Sequence, residues 1–179
     1  MRNPSQIDPF EKRWFAIYTR FKCEKWVHRQ LRQKGIEAYV PLRTVTRKYR
    51  RKVKKVHLPL IHCYAFVKIN KSEYIRVLET ENVQCFVRFD KQLVPIPEDE
   101  MNLLKRVAGD DVGEWETRPL NAFQPGDRVE VIGGPLTGLQ GVFLEQKGKR
   151  KFLVELHTLG YGIAIETDGR WVQKHHRCA

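Results

Sequence analysis

The 179-residue chain has no apolar run near the roughly 20 residues that a membrane-spanning helix needs. Its opening stretch, Met1 to Lys12, carries Asp8 and Glu11 and lacks the apolar core of a secretion signal. A soluble, cytoplasmic protein with no membrane partner is expected. Cysteines are few and scattered: Cys23, Cys63, Cys85 and Cys178 form no CxxC pair and read as reduced, mostly buried thiols rather than a disulfide framework. Neither His57, His62, Cys63 and Cys85 nor His175, His176 and Cys178 have the closely spaced ligand pairs of a structural zinc site. No metal and no other cofactor is expected. The glycines at 133, 134, 138 and 141 lack the GK[ST] signature and a strand-to-helix setting, which excludes a phosphate cradle and leaves tight turns and a bulge in a β-barrel. Asp110, Asp111, Glu114 and Glu116 form a hydrophilic stretch, not an ordered carboxylate pair, and Cys23 and His28 on one helix do not face each other. No catalytic residues and no enzyme are expected.

Acid is scarce in one half. Residues 1–109 hold 24 Lys and Arg against 11 Asp and Glu, a balance of +13; residues 110–179 hold 9 against 10, a balance of −1. Most of the excess comes from Arg43 to Lys55, with 8 basic residues in 13 and no acid. A field concentrated in this way attracts a polyanion to one place, which makes the first half the candidate nucleic-acid-facing part.

The periodicities divide the chain similarly. Trp14 to Thr19 is a β-prone run, and Lys22 to Lys34 places Cys23, Trp26, Val27, Gln30 and Leu31 on one helical face before a stop at Gly35. Ile36 to Leu42 returns to β character, with Pro41 at an edge or strand end. Thr44 to His57 alternates loosely among basic residues, as an exposed β-hairpin or arm. Tyr64 to Ile69 is the strongest strand signal. Ser72 is expected to cap a helix over Glu73 to Glu79, followed by a strand from Val83 to Phe89 and a helix opened by Pro97, with Met101, Leu104 and Val107 on its apolar face. The result is a β-α-β-β-α-β-α domain over residues 12–109, with its basic hairpin at 43–57. Residues 110–122 are expected to be a linker, with Trp115 free to dock. Residues 123–174 are expected to be a small β-barrel with strands near 128–132, 142–146, 151–156 and 162–167. Trp14 and Phe66 are expected in the core, whereas Tyr18 and Tyr64 suit an apolar patch, since tyrosine offers apolar area with a wet hydroxyl.

Specific stretches resemble a known family. Trp14-Phe15-Ala16-Ile17-Tyr18-Thr19, the helix closed by Gly35, Tyr39-Val40-Pro41, Tyr64-Ala65-Phe66-Val67 and Phe86-Val87-Arg88-Phe89 with Pro95-Ile96 resemble the amino-terminal domain of NusG and its specialised relatives, RfaH and the UpxY-type antiterminators of polysaccharide operons. Pro125-Gly126-Asp127-Arg128-Val129-Glu130-Val131, Gly133-Gly134-Pro135-Leu136 and Gly138-Leu139-Gln140-Gly141-Val142 resemble the family's KOW module. One departure is the turn Ile61-His62-Cys63-Tyr64, where the family usually has aromatic-Pro-Gly-Tyr.

The resemblance implies an α+β fold: an α/β sandwich with an antiparallel sheet and flanking helices, then an SH3-like KOW β-barrel. It implies a monomeric transcription elongation and antitermination factor that suppresses pausing and termination, closest to the operon-specific UpxY type. Tyr18, Ile61 and Tyr64 would grip the clamp helices of the largest RNA polymerase subunit. Arg47, Lys48, Arg50, Arg51, Lys52, Lys54 and Lys55 would meet upstream or non-template DNA, joined by Arg20, Gln30, Lys34 and Arg76. The KOW partner would be a ribosomal protein or a termination factor. The rival readings are an RNA-binding KOW protein with a ribosomal or assembly role, and a general elongation factor. Valine and isoleucine at 129, 131, 142, 154, 163 and 165 favour strands over the helical refolding known in the RfaH branch.

Overall fold

A computed structural model describes residues 7–50, 52–88, 91–108, 115–122, 126–133, 136–146, 149–166, 170 and 172–174. The chain divides into two compact units, residues 1–105 and 106–179.

The first unit is built on β1 (Arg13–Thr19), β2 (Glu37–Tyr39), β5 (Tyr64–Ile69) and β6 (Val83–Phe86), in the spatial order β2-β5-β1-β6. All pairings are antiparallel, with Phe15 opposite Val67 and Tyr18 opposite both Tyr64 and Cys85. Strand alternation therefore puts Phe15, Ile17, Ala65, Val67 and Phe86 on one face. That face packs on Val27 and Leu31 of α1 (Glu24–Gln33) and Val77 of α2 (Tyr74–Leu78), forming the core. Each such Phe, Ile, Leu or Val side chain contributes about 1.5–3 kcal/mol by leaving water. The opposite face carries Trp14, Ala16, Phe66, Tyr18 and Tyr64. Its Trp14 end meets α3 (Glu98–Val107): the indole N–H of Trp14 donates to Glu98 Oε2 at 3.2 Å, and Lys105 Nζ lies 5.1 Å from the ring centroid. Trp14 and Phe66 are core residues, 2% and 0% exposed, as expected.

Local chemistry sets the element ends. Gly35 takes φ +75° and donates its N–H to Arg32 O, ending α1 in the left-handed conformation that glycine adopts without strain. The cap before α2 is Asn70 and not the expected Ser72. Its side chain accepts from the Ser72 N–H at 3.1 Å, and Glu73 accepts the Asn70 N–H at 3.3 Å, a reciprocal capping box that opens the 3-10 turn Lys71–Glu73. Strand β6 ends at Phe86, short of the expected Phe89, which lies outside the described residues.

The strands β3 (Leu42–Tyr49) and β4 (Lys52–Pro59) form a separate two-stranded sheet, the expected basic hairpin.

The second unit is a six-stranded antiparallel sheet in the order β12-β8-β9-β10-β11-β7, made of β7 (Trp115–Pro119), β8 (Asp127–Val131), β9 (Gln140–Gln146), β10 (Lys149–Leu156), β11 (Tyr161–Glu166) and β12 (Val172–Lys174). Phe152, Leu153 and Val154 are buried in succession, as are Gly162 to Ile165. Both faces of β10 and β11 are thus covered, the pattern of a small barrel and not of a sheet with one wet face. Four strands lie where valine and isoleucine place them. The other two, β12 and β7, were not expected as strands, and β7 falls inside the stretch expected as a linker: its main chain pairs with β11 from Trp115 opposite Ile165 to Pro119 opposite Tyr161, and Glu116 is held by Lys151 at 2.6 Å. Gly141 on β9 is required by close approach, since a Cβ there would lie 2.3 Å from Leu153 O.

Candidate functional site

The basic hairpin carries the highest density of charge in the sequence. Its register sets Arg47 opposite Lys54, Tyr49 opposite Lys52, Lys48 opposite Val53 and Thr46 opposite Lys55. Directly opposite residues share a face, so Arg47, Tyr49, Lys52 and Lys54 line one side, and Lys48, Val53 and Lys55 the other. Two strands of eight residues reach about 25 Å. Arg47, Lys48, Arg50, Lys52, Lys54 and Lys55 are all exposed, and among the described residues none of them is in an ion pair. Arg51 lies outside the described residues. Arg43 does not belong to this exposed set: it is 2% exposed at the hairpin base. The base is fixed by Lys25 Nζ donating to His57 O at 3.0 Å and by Thr44 Oγ1 in a 3.0 Å hydrogen bond with His57 Nδ1. Like charges placed directly across strands repel, and a polyanion relieves that repulsion. Tyr49, 51% exposed among three cations, adds a flat surface on which a base can stack.

The second feature is the Tyr18 end of the sheet face that α3 meets at Trp14. Tyr18 is 38% exposed and packs edge-to-face on Tyr64, ring centroids 5.1 Å apart at 75°. Tyr64 is only 8% exposed and Ile61 2%, so Ile61 presents no surface of its own. The outer surface at this end of the sheet includes Phe21, 62% exposed, with His62 at 6.1 Å between ring centroids. Cys85, exposed, stands opposite Tyr18 on β6. Phe21 escaped notice in the sequence because it stands outside any periodic run, between Arg20 and Lys22; an isolated aromatic flanked by cations was the available signal.

The divergent turn has its own support. Cys63, where the family usually has glycine, adopts φ +65°, at a cost of about 1–2 kcal/mol for a residue with a Cβ. Its N–H donates to Oε1 of the buried Glu24 at 2.7 Å and its carbonyl accepts the Thr19 N–H at 2.8 Å. Burial, with the nearby Glu24 carboxylate and Cys23, pushes the Cys63 thiol above its ordinary pKa.

The remaining expected nucleic-acid residues divide. Arg20 is exposed one residue beyond β1, and Gln30 is half-buried on α1. Lys34 and Arg76 clasp each other: Lys34 Nζ donates to Arg76 O at 3.2 Å and Thr80 Oγ1 at 2.8 Å, and Arg76 donates to Lys34 O. Both cations thus serve carbonyls at helix ends, where a positive charge is favoured. Among the described residues no group of three metal-capable side chains converges, and no described helix is long and apolar enough to cross a membrane. His175, His176 and Cys178 lie outside the described residues.

The first unit is a sandwich with helices on both faces of an antiparallel sheet and a basic two-stranded hairpin, and a β unit follows it. Comparison supplies the particular family. Residues 12–105, just over half of the chain, match the family model described as Transcription termination factor nusG, and the chain belongs to the NusG family. It is 28% identical to the Transcription termination/antitermination protein NusG of Pseudomonas aeruginosa, an alignment covering 91% of this chain and 98% of that protein. The solved structure described as Domain interaction in Thermotoga maritima NusG superposes with a TM-score of 0.57 at 23% identity, covering 94% of this chain and 99% of that one, a likeness of fold.

Proposed function

We propose that this NusG-family factor docks on the clamp helices of the largest RNA polymerase subunit through the Tyr18–Tyr64 corner, and suppresses pausing and termination without catalysing a reaction. The observation that carries the reading is the exposed edge of Tyr18, locked on Tyr64 at the end of the sheet face away from Trp14. A rigid aromatic with little rotamer freedom is a low-cost anchor for a helical partner. Phe21 and His62 extend the contact, whereas the buried Ile61 presents no surface to it. The hairpin then lies free to engage upstream or non-template DNA through Arg47, Lys48, Arg50, Arg51, Lys52, Lys54 and Lys55, with Arg20 and Gln30 nearer the corner. Lys34 and Arg76 contribute by fixing the helix ends and by any donors left over. A factor that binds the closed clamp more tightly than the open one shifts the polymerase toward the closed, processive state. The near-neutral second unit recruits a protein, a ribosomal protein or termination factor, and the whole acts as a monomer. The density of charge on the hairpin and the divergent turn at Ile61 to Cys63 support an operon-restricted role of the UpxY type.

The test is co-purification with core RNA polymerase after nuclease treatment. Wild type is expected to survive the nuclease, and Tyr18→Ala to lose about tenfold or more in affinity, as hot-spot aromatics do. Association with ribosomes that nuclease abolishes, and none with polymerase, would instead support the RNA-binding reading.

A further inference from the structure

The opposite end of the same sheet carries a second feature that neither polymerase docking nor the hairpin uses. Beyond the ends of β5 and β6, Lys71, Arg88 and Lys91 line a pocket of about 440 Å³ together with Ile7, Tyr74, Gln92 and Leu93. Among the described residues no acidic side chain lines it, and none of the three cations is in an ion pair. The nearby buried carboxylate, Glu73, is committed elsewhere: it accepts from Lys12 Nζ at 2.7 Å and the Asn70 N–H at 3.3 Å. Three cations that share a concavity repel one another, and a bound anion relieves this. Tyr74 is held nearly parallel to Phe86, centroids 4.6 Å apart at 16°, so its orientation is fixed where it borders the pocket. Lys91 holds a left-handed backbone, φ 65°, a conformation that non-glycine residues adopt at a cost and that recurs beside ligand clamps.

We propose that this pocket binds one nucleoside 5′-phosphate. Lys71, Arg88 and Lys91 supply charge-assisted donors to the phosphate. Tyr74, Leu93 and Ile7 give the apolar and aromatic wall that a base or ribose needs, and Gln92 offers an amide to a base edge. The volume accepts a single nucleotide and not an oligonucleotide lying through it. The nucleotide is either free or the 5′-phosphorylated end of a strand; the chemistry recognised is the same.

The experiment is isothermal titration calorimetry on the full chain with four probes: adenosine 5′-monophosphate, adenosine, inorganic phosphate and a 5′-phosphorylated tetranucleotide. Saturable binding of the monophosphate is expected, at least about tenfold tighter than adenosine or phosphate alone, because both halves of the pocket contribute. Arg88→Gln/Lys91→Gln, exposed or loop positions outside the core, should weaken it by about tenfold or more, while Lys52→Gln/Lys54→Gln on the hairpin leaves it unchanged. Equal binding of the tetranucleotide identifies a strand end as the source, and its failure to bind identifies the free nucleotide; either result upholds the site. No saturable binding of the monophosphate up to about 10 mM overturns the proposal. Binding that the Arg88→Gln/Lys91→Gln variant retains, or that inorganic phosphate matches, overturns it equally.

Discussion

At the scale of single residues, the two tyrosines of the corner do different work. Tyr18 offers surface, whereas Tyr64, 8% exposed, is largely packing. Tyr64→Ala should therefore cost about 3 kcal/mol or more of stability by leaving a cavity, while Tyr18→Ala should leave the unfolding midpoint nearly unchanged; chemical denaturation of the two variants separates them. Glu24 is a second decisive residue. It is 2% exposed and accepts the Cys63 N–H. Glu24→Ala should destabilise by about 1–3 kcal/mol, against a few tenths for the exposed Glu37→Ala, because it leaves a part-buried donor unpaired in a strained turn. Burial raises the Tyr39 phenol to about 12. Its folded pKa thus exceeds its unfolded one, so the associated stability is complete below the ordinary tyrosine pKa and is lost as pH rises from there toward 12. Tyr39→Phe should flatten that alkaline loss in denaturation curves measured across the same window. Single residues were also the least legible level of the sequence. That Ile61 would turn inward and Phe21 outward depends on how three turns meet at one sheet end, which no local pattern encodes.

At the scale of elements, the hairpin was legible because its signal is charge, and charge density is a property of composition. Helix α1 was legible for a similar reason: its apolar face and the Gly35 stop are both local. The capping residue, which opens the 3-10 turn ahead of α2, falls at Asn70 and not Ser72: both are good capping residues, and only the position of Glu73 against the Asn70 N–H decides between them. Strand β7 was missed because Trp-Glu-Thr-Arg-Pro has no alternation of its own; it becomes a strand by pairing with β11. For the hairpin, engagement of about six phosphates should make DNA affinity fall by about three orders of magnitude between roughly 50 and 200 mM salt. A Lys52→Gln/Lys54→Gln/Lys55→Gln variant should reduce the slope of log affinity against log salt by about two to three, whatever the DNA sequence, since phosphate contacts carry no sequence information. An unchanged slope would place the contact elsewhere.

At the scale of the whole molecule, the two units divide charge as well as structure: the basic hairpin belongs to the first, and the second is near neutral. The valine and isoleucine pattern that favoured strands in the second unit agrees with its six-stranded sheet, in which Gly141 passes close to Leu153 O. Amide exchange on the full-length chain should accordingly protect β9, β10 and β11 in a strand-pairing pattern; a helical hairpin there would contradict it. The central claim concerns what the assembled molecule does to polymerase. The measurement that tests it most directly is single-round transcription with purified RNA polymerase on paused templates that include the native operon leader, comparing wild type with Tyr18→Ala/Phe21→Ala. Shorter pauses with wild type, lost in the variant while its fold is intact, are the expected result. Pauses that wild type leaves unchanged, or that the variant shortens just as well, would contradict it.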